Sequence, residues 1–200
     1  SQTHGAVPWK GVDPITISSQ IISALQTIVA REVNITQVPA VVTIGSIHGG
    51  VRNNIIPEEV VMEGTIRTFN DEVRKDIHDS IRKKAEMIAS ASGATAKVEI
   101  FSDIAKVTFN EPSLIEKMLP SLERVYGTEN VKITPFITGA EDFPFFTDHA
   151  PGLYFFNGVA PDPSKAAPNH SPYFFADERN LKYGTKALTQ LAVDYLYLYQ

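Results

Sequence analysis

The sequence predicts an α+β domain followed by the final part of an α/β domain. Hydrophobic residues make up 43% of the 200 residues, which is enough for one large domain or two small ones with a real core. In the first half, two segments with a helical spacing of apolar residues enclose two β-branched segments. In the second half, helical and strand-like segments alternate, which is typical of α/β domains.

The first predicted elements are a helix over 14–32 and two neighbouring strands. Asp13 is a capping residue and the ring of Pro14 fits the first helical position, so the helix is expected to begin there. The segments 40–48 and 60–68 are β-branched and tend to alternate, and the connection between them is rich in Gly and Asn. This pattern predicts two strands that are neighbours in one sheet.

A second helix and a third strand are predicted next. Asn70 can cap the helix, Gly93 is well placed to end it, and a strand is expected near 96–101. With one more strand ahead of the first residue, the order becomes a split β-α-β unit repeated twice. Residues 1–110 are therefore predicted to form an α+β domain whose first strand is missing from this sequence.

A domain boundary is predicted at Asn110, Glu111 and Pro112, which interrupt the apolar pattern before a new helix. Residues 111–200 have too few strands for a whole α/β domain, so residues outside this sequence are expected to complete its core. In chain order, the elements predicted there are a helix over 114–125, a strand over 131–137, a loop and helix over 139–148, a strand over 152–156, a proline-rich loop over 157–176 and a final helix over 181–198.

The composition argues against several classes of function. The formal net charge of -5 is spread along the chain without a basic patch, so nucleic acid is a poor candidate partner. The sequence has no run of about 20 apolar residues, so no membrane span is predicted. The absence of cysteine excludes disulfides and thiolate chemistry within these residues and leaves the compartment open.

Three loops carry side chains that suit catalysis or metal binding. His4 lies among small residues, and His170 lies in a loop held stiff by two prolines, which suits a fixed ligand or base. Glu141 and Asp142 directly follow a predicted strand, where α/β enzymes usually place their chemistry. The simpler alternatives are solvated surface histidines and a pair of acids favoured by the dipole at a helix N-terminus.

Two further polar residues suit ligand recognition. Arg67 shares a predicted strand face with Glu63. Its guanidinium could bind a substrate carboxylate through two parallel hydrogen bonds, or it could form an ion pair with Glu63 at the surface. Asn54 is typical of a turn, although its amide could also reach a ligand. Each of these signals is weak when it is taken alone.

Taken together, five segments resemble one family of enzymes in sequence and in order. They are Thr3-His4-Gly5-Ala6-Val7-Pro8, Gly11-Val12-Asp13-Pro14, Asn54-Ile55-Ile56-Pro57 with Arg67 thirteen residues on, Gly139-Ala140-Glu141-Asp142-Phe143, and Asn169-His170-Ser171-Pro172. This order is similar to that of aminoacylases, carboxypeptidase G, hippurate hydrolase and indole-acetyl-amino-acid hydrolase. The resemblance covers nearly the whole chain.

The resemblance implies a catalytic domain with two divalent ions, zinc or manganese, interrupted by a ferredoxin-like dimerisation lid. Residues 1–110 would be the lid of a homodimer, and 111–200 would be the C-terminal part of the α/β catalytic domain. The complete enzyme would hydrolyse the amide bond of N-acyl amino acids or C-terminal peptide bonds.

The same resemblance implies roles for single residues. His170 would be the last metal ligand, and His4 would cross the dimer interface to stabilise the oxyanion in the partner's active site. Asn54 and Arg67 would hold the free carboxylate of the amino-acid half, and the loop around Gly139 would line the acyl side. No role for Glu141 and Asp142 follows from it.

Two departures from the family pattern limit these implications. Trp9 stands where family members commonly have a second histidine. The remaining ligands and the general base of the family are expected before Ser1, so this chain offers one predicted ligand and is expected to be inactive by itself. An alternative from another class is a non-catalytic dimerisation or ligand-binding module, since exposed strand edges suit self-association.

Overall fold

The computed structural model describes residues 2–101 and 106–198, and its contacts divide the chain into two compact units. Unit 1 is Ser1–Val107 and unit 2 is Thr108–Gln200. The division falls three residues before the predicted boundary between 110 and 111. Among the described residues, no helix has both the length and the apolar character that crossing a membrane requires.

Unit 1 combines two long helices with short and long antiparallel strand pairs. Helix α1 is capped by Asp13, whose carboxylate accepts hydrogen bonds from the backbone N–H groups of Ile15 at 2.9 Å and Thr16 at 3.3 Å. Its predicted start is confirmed, because the cap satisfies backbone donors that have no partner inside the helix. In chain order the elements are β1 (Thr3–His4), a 3-10 turn (Pro8–Lys10), α1 (Pro14–Arg31), β2 (Ala40–Gly49), β3 (Ile55–Ile56), β4 (Val60–Thr68) and α2 (Asp71–Ala91).

The strands β2 and β4 pair antiparallel, which confirms the two strands predicted at 40–48 and 60–68. The pairing shifts register between Ile44 and Ser46, so Gly45 is the extra residue of a β-bulge. Gly64 lies opposite Ile44, and a Cβ there would overlap the carbonyl oxygen of Thr43. The close approach of the two strands at this point therefore requires glycine.

The core of unit 1 lies between the helices α1 and α2 and one face of the β2–β4 pair. The apolar stripe of each helix supplies four of its buried residues, as the helical spacing predicts. The buried members are Ile17, Ile21, Leu25, Ile28, Val42, Ile77, Ile81, Ala85 and Ala89.

The third strand predicted near 96–101 is wrong for its described residues. Side chains alternate between half-buried and exposed over 94–100, and Ala96 and Val98 pack against the core, but no strand pairs with this segment among the described residues. Side-chain alternation alone does not make a strand, because a strand also needs a partner for its backbone hydrogen bonds. The α+β class is confirmed for unit 1, whereas the ferredoxin-like arrangement stays a prediction.

Helix α2 begins and ends where the sequence predicts. The Asn70 side chain accepts a hydrogen bond from Val73 N at 2.9 Å. Gly93 has a φ of 73°, and the next residue, Ala94, donates its N–H to Ala89 O at 2.8 Å. The left-handed conformation at Gly93 lets the chain turn back and satisfy the last helical carbonyls.

Unit 2 contains the helices α3 (Pro112–Tyr126), α4 (Pro144–Thr147) and α5 (Leu181–Leu198). Helices α3 and α5 pack against each other and bury Met118, Leu122 and Ala187, which confirms the first and last predicted helices. Within the loop and helix predicted over 139–148, the helical part is the four residues of α4.

The strands predicted at 131–137 and 152–156 are both wrong, and with them the α/β pattern of unit 2 among its described residues. The segment 132–140 is exposed throughout and Ile133 is 99% exposed, and the described residues form no strand there. At 152–156 the backbone is instead bonded by Asn110 and Glu111: Glu111 N donates to Gly152 O, and the Asn110 amide bonds both backbone groups of Tyr154. The Asn110 side chain therefore makes backbone hydrogen bonds of the kind that a neighbouring strand would make.

Candidate functional site

His4 and Asn54 lie next to each other because β1 pairs with β3. The register places His4 opposite Ile55, and the N–H of Gly5 donates to the carbonyl oxygen of Asn54 at 2.8 Å. A Cβ on Gly5 would lie 3.2 Å from that same oxygen, which is a tight contact that favours glycine at this position. Two segments that are fifty residues apart in the sequence thus meet at one point.

One ring nitrogen of His4 is hydrogen-bonded to the backbone, and the residue is exposed to solvent. Its Nδ1 accepts a hydrogen bond from the backbone N–H of Ala6 at 3.0 Å. A nitrogen that accepts a hydrogen bond does not carry the proton, so the neutral ring carries it on Nε2. His4 therefore presents an N–H donor to whatever binds above it.

An open cleft of about 510 Å³ lies beside this pair of residues. Gly5, Asn53 and Ile55 line it, and each is adjacent in sequence to His4 or Asn54. Asp13 and Arg52 also line it and bring charges of opposite sign. The Asp13 carboxylate is engaged in capping α1, and its pKa is lowered: burial opposes the shift, and the hydrogen bonds from Thr16 and Ile15 more than offset it.

Arg67 lies near the other end of the β2–β4 pair. Gly49, which also lines the cleft, pairs with Val60 at the start of β4, whereas Arg67 pairs with Val41. Seven residues of extended strand separate Val60 from Arg67, which corresponds to roughly 23 Å. The structure does not bring Arg67 next to His4 and Asn54.

The alternative ion pair between Arg67 and Glu63 does not form. Arg67 is half-buried on the strand face that also carries Glu63, as predicted. The Glu63 carboxylate instead accepts a hydrogen bond from Ser46 Oγ at 3.3 Å. None of the ion pairs among the described residues joins Glu63 to Arg67.

His170 and Gly139 lie in exposed loops of unit 2. His170 is in a turn closed by a hydrogen bond from Ser171 N to Pro168 O at 2.9 Å. The nearest atom to a Cβ built on Gly139 would be Ile137 Cγ2 at 3.8 Å, so the position has room for a side chain.

The described residues do not form a two-ion metal site by themselves. Among residues 2–101 and 106–198, no group of three or more His, Asp or Glu side chains is placed to hold a metal ion. His170 is the one predicted ligand in this sequence, and a two-ion centre needs several more.

Glu141 and Asp142, which have no predicted role, lie next to Tyr154. Burial raises the pKa of the Tyr154 hydroxyl, and the nearby carboxylates of Glu141 and Asp142 raise it further.

The sequence did not predict that the Asn110 side chain bonds to the backbone of Tyr154. Tyr154 lies in an apolar run and looks like a core residue of a strand, while Asn110 looks like a domain boundary. No local signal marks this pair, because the two residues are 44 positions apart in the sequence.

Comparison with known proteins places these segments in a family. Residues 1–92 match the family model of the peptidase dimerisation domain, M20_dimer. Thermostable carboxypeptidase 2 of Saccharolobus solfataricus strain P2 is 39% identical over 196 residues, which cover 96% of this chain and 48% of the relative. N-acetylcysteine deacetylase of Bacillus subtilis strain 168 is 32% identical over 191 residues, with 95% and 48% covered.

A solved structure gives the same result. The chain is similar to the Bacillus subtilis YXEP protein, described as a dinuclear metal binding peptidase from the M20 family, with a TM-score of 0.73 and 29% identity. The similarity covers 93% of this chain and 47% of that one. The chain spans about half the length of the relatives it matches. With the predicted motifs, the dimerisation-domain match and these relatives all in agreement, the chain belongs to the M20 family of metal-dependent amidohydrolases and peptidases.

Proposed function

We propose that the complete protein is a homodimeric, two-metal amidohydrolase that cleaves N-acyl amino acids or C-terminal peptide bonds. The names of the relatives, a carboxypeptidase and an N-acyl amino acid deacetylase, support this class of reaction. The observation that carries the proposal is the anchored imidazole of His4, with Nδ1 bonded to the backbone and Nε2 free to donate.

His4 is suited to stabilise a developing oxyanion. Hydrolysis of an amide places negative charge on the carbonyl oxygen, and a fixed N–H donor near that oxygen lowers the barrier by about 3–4 kcal/mol. The backbone bond to Ala6 holds the ring before substrate arrives, so little reorganisation is needed. Two divalent ions, zinc or manganese, would activate water and polarise the carbonyl in such an enzyme.

Arg67 and Asn54 are proposed to recognise the free carboxylate of the amino-acid half. A guanidinium binds a carboxylate with two parallel hydrogen bonds, and the outward strand face leaves Arg67 open to a ligand. Since Arg67 lies roughly 23 Å along β4 from the end next to Asn54, we propose that the two contact substrate from different protomers. The exposed loop at Gly139 would line the acyl side.

Replacement of His4 tests the proposal directly. In the complete protein, His4→Ala is expected to lower kcat by about 10²- to 10³-fold with little change in KM, the usual effect of losing an oxyanion donor. His48→Ala is the matched control, because His48 is also exposed but lies on β2 with no proposed role. Steady-state kinetics on N-acyl amino acids measure both.

Mixed dimers test whether His4 works across the interface. Combining His4→Ala with His170→Ala protomers should restore part of the activity if each protomer supplies what the other lacks. No recovery would place His4 in its own subunit's site. If the complete wild-type protein hydrolyses no N-acyl amino acid or peptide, the non-catalytic dimerisation or ligand-binding module becomes the better account.

A further inference from the structure

Arg52 lies in a turn whose backbone is held from both sides. Before it, Gly49 at the end of β2 pairs with Val60, and after it, β3 pairs with β1. The turn itself is closed by a hydrogen bond from Ile55 N to Arg52 O at 3.2 Å. The backbone of Arg52 therefore has a defined place beside the cleft that it lines.

The same turn brings Arg52 close to His4. The first and fourth Cα atoms of a turn lie within about 7 Å of each other, and the fourth residue, Ile55, lies opposite His4 in the β1–β3 pair. Opposite residues of antiparallel strands have Cα atoms about 5 Å apart, so the Cα atoms of Arg52 and His4 lie within about 12 Å of each other. Arg52 thus belongs to the small region that also holds His4 and Asn54.

The charge of Arg52 is available to a ligand. The residue is exposed, and none of the ion pairs among the described residues includes it. Asp13, which also lines the cleft, is occupied at the start of α1: its Oδ1 accepts from Ile15 N and Thr16 N, and its Oδ2 accepts from Thr16 Oγ1 at 2.7 Å. Because a guanidinium stays positively charged and has five N–H donors, Arg52 is suited to bind an anion that enters the cleft.

Most of the other residues that line the cleft are apolar. They include Ile15, Ile55 and Val51, and Val51 is 98% exposed. Apolar walls suit methylene groups, and a guanidinium suits a carboxylate, which it can bind through two parallel hydrogen bonds. An acidic amino-acid side chain has both parts, methylene groups and a terminal carboxylate.

We propose that Arg52 determines specificity for substrates whose amino-acid half is acidic, by binding the side-chain carboxylate of that half. The inference rests on the proposed function, in which His4 donates to the carbonyl oxygen of the amide and Asn54 binds the free carboxylate of the amino-acid half. A substrate held at these two residues has its side chain within reach of the Arg52 guanidinium. Since His4 is proposed to act in the partner's active site, Arg52 acts in that same site.

The test compares N-acetylglutamate with N-acetylglutamine, which have nearly the same shape and differ in the charge of the side chain. In the complete protein, Arg52→Ala should raise the KM for N-acetylglutamate about fivefold, the upper range for an exposed ion pair. The KM for N-acetylglutamine should stay near that of wild type. Arg52→Lys should keep part of the preference, because it retains the charge and loses the two parallel hydrogen bonds.

Arg31→Ala is the matched control. Arg31 is also exposed, but it is the last residue of α1, whereas Ile15 near the first residue lines the cleft. The rise of the helix places the two residues roughly 24 Å apart, so Arg31→Ala should leave both KM values unchanged. An equal rise of both KM values in Arg52→Ala would show that Arg52 binds the free carboxylate common to both substrates, and it would overturn the proposal, as would two unchanged KM values.

Ligand binding separates this inference from the proposed function. Glutarate has two carboxylates and butyrate has one, and neither has an amide bond to cleave. By calorimetry, the wild-type protein and Arg31→Ala should bind glutarate more tightly than butyrate, and Arg52→Ala should lose that preference. An intact preference in Arg52→Ala of an active enzyme would reject the role of Arg52 and keep the hydrolase function. A preference that depends on Arg52 in a protein without hydrolase activity would keep the anion site and reject the hydrolase function.

Discussion

At the scale of single residues, backbone contacts decide which side chains are ready to act. His4 is oriented by one bond from Ala6 N to Nδ1, and its neighbour Gly5 makes the contact to Asn54 O. At Gly64 the carbonyl oxygen of Thr43 comes too close for a side chain, and at Gly5 a Cβ would make a tight contact of 3.2 Å with Asn54 O. Glycine therefore suits both places where two chain segments approach closely.

Gly64→Ala is expected to destabilise unit 1 by about 2 kcal/mol or more, since the new Cβ would overlap Thr43 O and contact Ile44 Cδ1 at 3.1 Å. The control is Gly45→Ala, where the nearest atom to the Cβ is Glu63 O at 4.0 Å. That change should stay within about 1 kcal/mol of wild type. Urea unfolding monitored by circular dichroism measures both variants. Equal midpoints would show that β2 and β4 can move apart at Gly64 without loss of stability.

At the scale of elements, a polar cluster joins the two long helices of unit 2. Asp194 on α5 accepts hydrogen bonds from Ser121 Oγ at 2.5 Å and Gln190 Nε2 at 2.9 Å, and it also pairs with Arg124. Ser121 is only 2% exposed, so its hydroxyl has little access to water. The hydrogen bonds from Ser121 and then Gln190, together with the charge of Arg124, lower the pKa of Asp194.

Asp194→Ala should lower the midpoint of thermal unfolding, because it leaves the buried Ser121 hydroxyl without its acceptor. Asp79→Ala is the control, since Asp79 pairs with Lys75 and Arg82 on an exposed face of α2 and its loss should cost far less. Thermal unfolding at pH 7 compares the two variants. Similar midpoints would show that the Asp194 cluster does not stabilise unit 2.

The polar cluster around Asp194 predicts that the stability of the folded protein depends on pH. Because the pKa of Asp194 is lower in the folded protein than its usual value of 3.8, its contribution is complete above that value. The contribution is lost as the pH falls below 3.8 and through the folded pKa. Stability should therefore drop more steeply with acid in wild type than in Asp194→Asn, which cannot titrate. Parallel curves for the two proteins between pH 5 and the acid transition would contradict this.

At the scale of the whole molecule, the predicted site residues are distributed over both units. His4, Asn54 and Arg67 belong to unit 1, and Gly139 and His170 belong to unit 2. His4 and Asn54 lie next to each other, while Arg67 lies at the far end of its strand pair. Under the proposed function, these residues would supply substrate recognition and an oxyanion donor. Among the described residues, no group of three or more His, Asp or Glu side chains is placed to hold a metal ion.

We therefore expect these 200 residues, expressed alone, to bind no stoichiometric pair of metal ions and to have no hydrolase activity, while the complete protein binds two ions. His170→Ala in the complete protein should lower the metal content, whereas His149→Ala, another exposed histidine of unit 2, should not. Metal analysis by mass spectrometry after dialysis measures each protein. Two retained ions in His170→Ala would remove it from the ligand set.

Much of the helical structure was predictable because its signals are local. Asp13 and Asn70 mark helix starts, Gly93 marks an end, and the apolar stripes of α1, α2 and α5 mark the buried faces. The order of motifs was also sufficient to identify the family, since it needs no geometry. The strands were predicted less well, because a strand exists only where a partner is present.

The sequence by itself determined the helices and their caps, the paired strands β2 and β4, and the family. Only the tertiary structure decided that His4 meets Asn54, that Arg67 is remote from both, and that Asn110 takes the place of a strand beside Tyr154. The physical reason is sequence separation. Caps and helical periodicity act within a few residues, whereas the Asn110 amide and the Tyr154 backbone are 44 residues apart and meet only after the chain has folded.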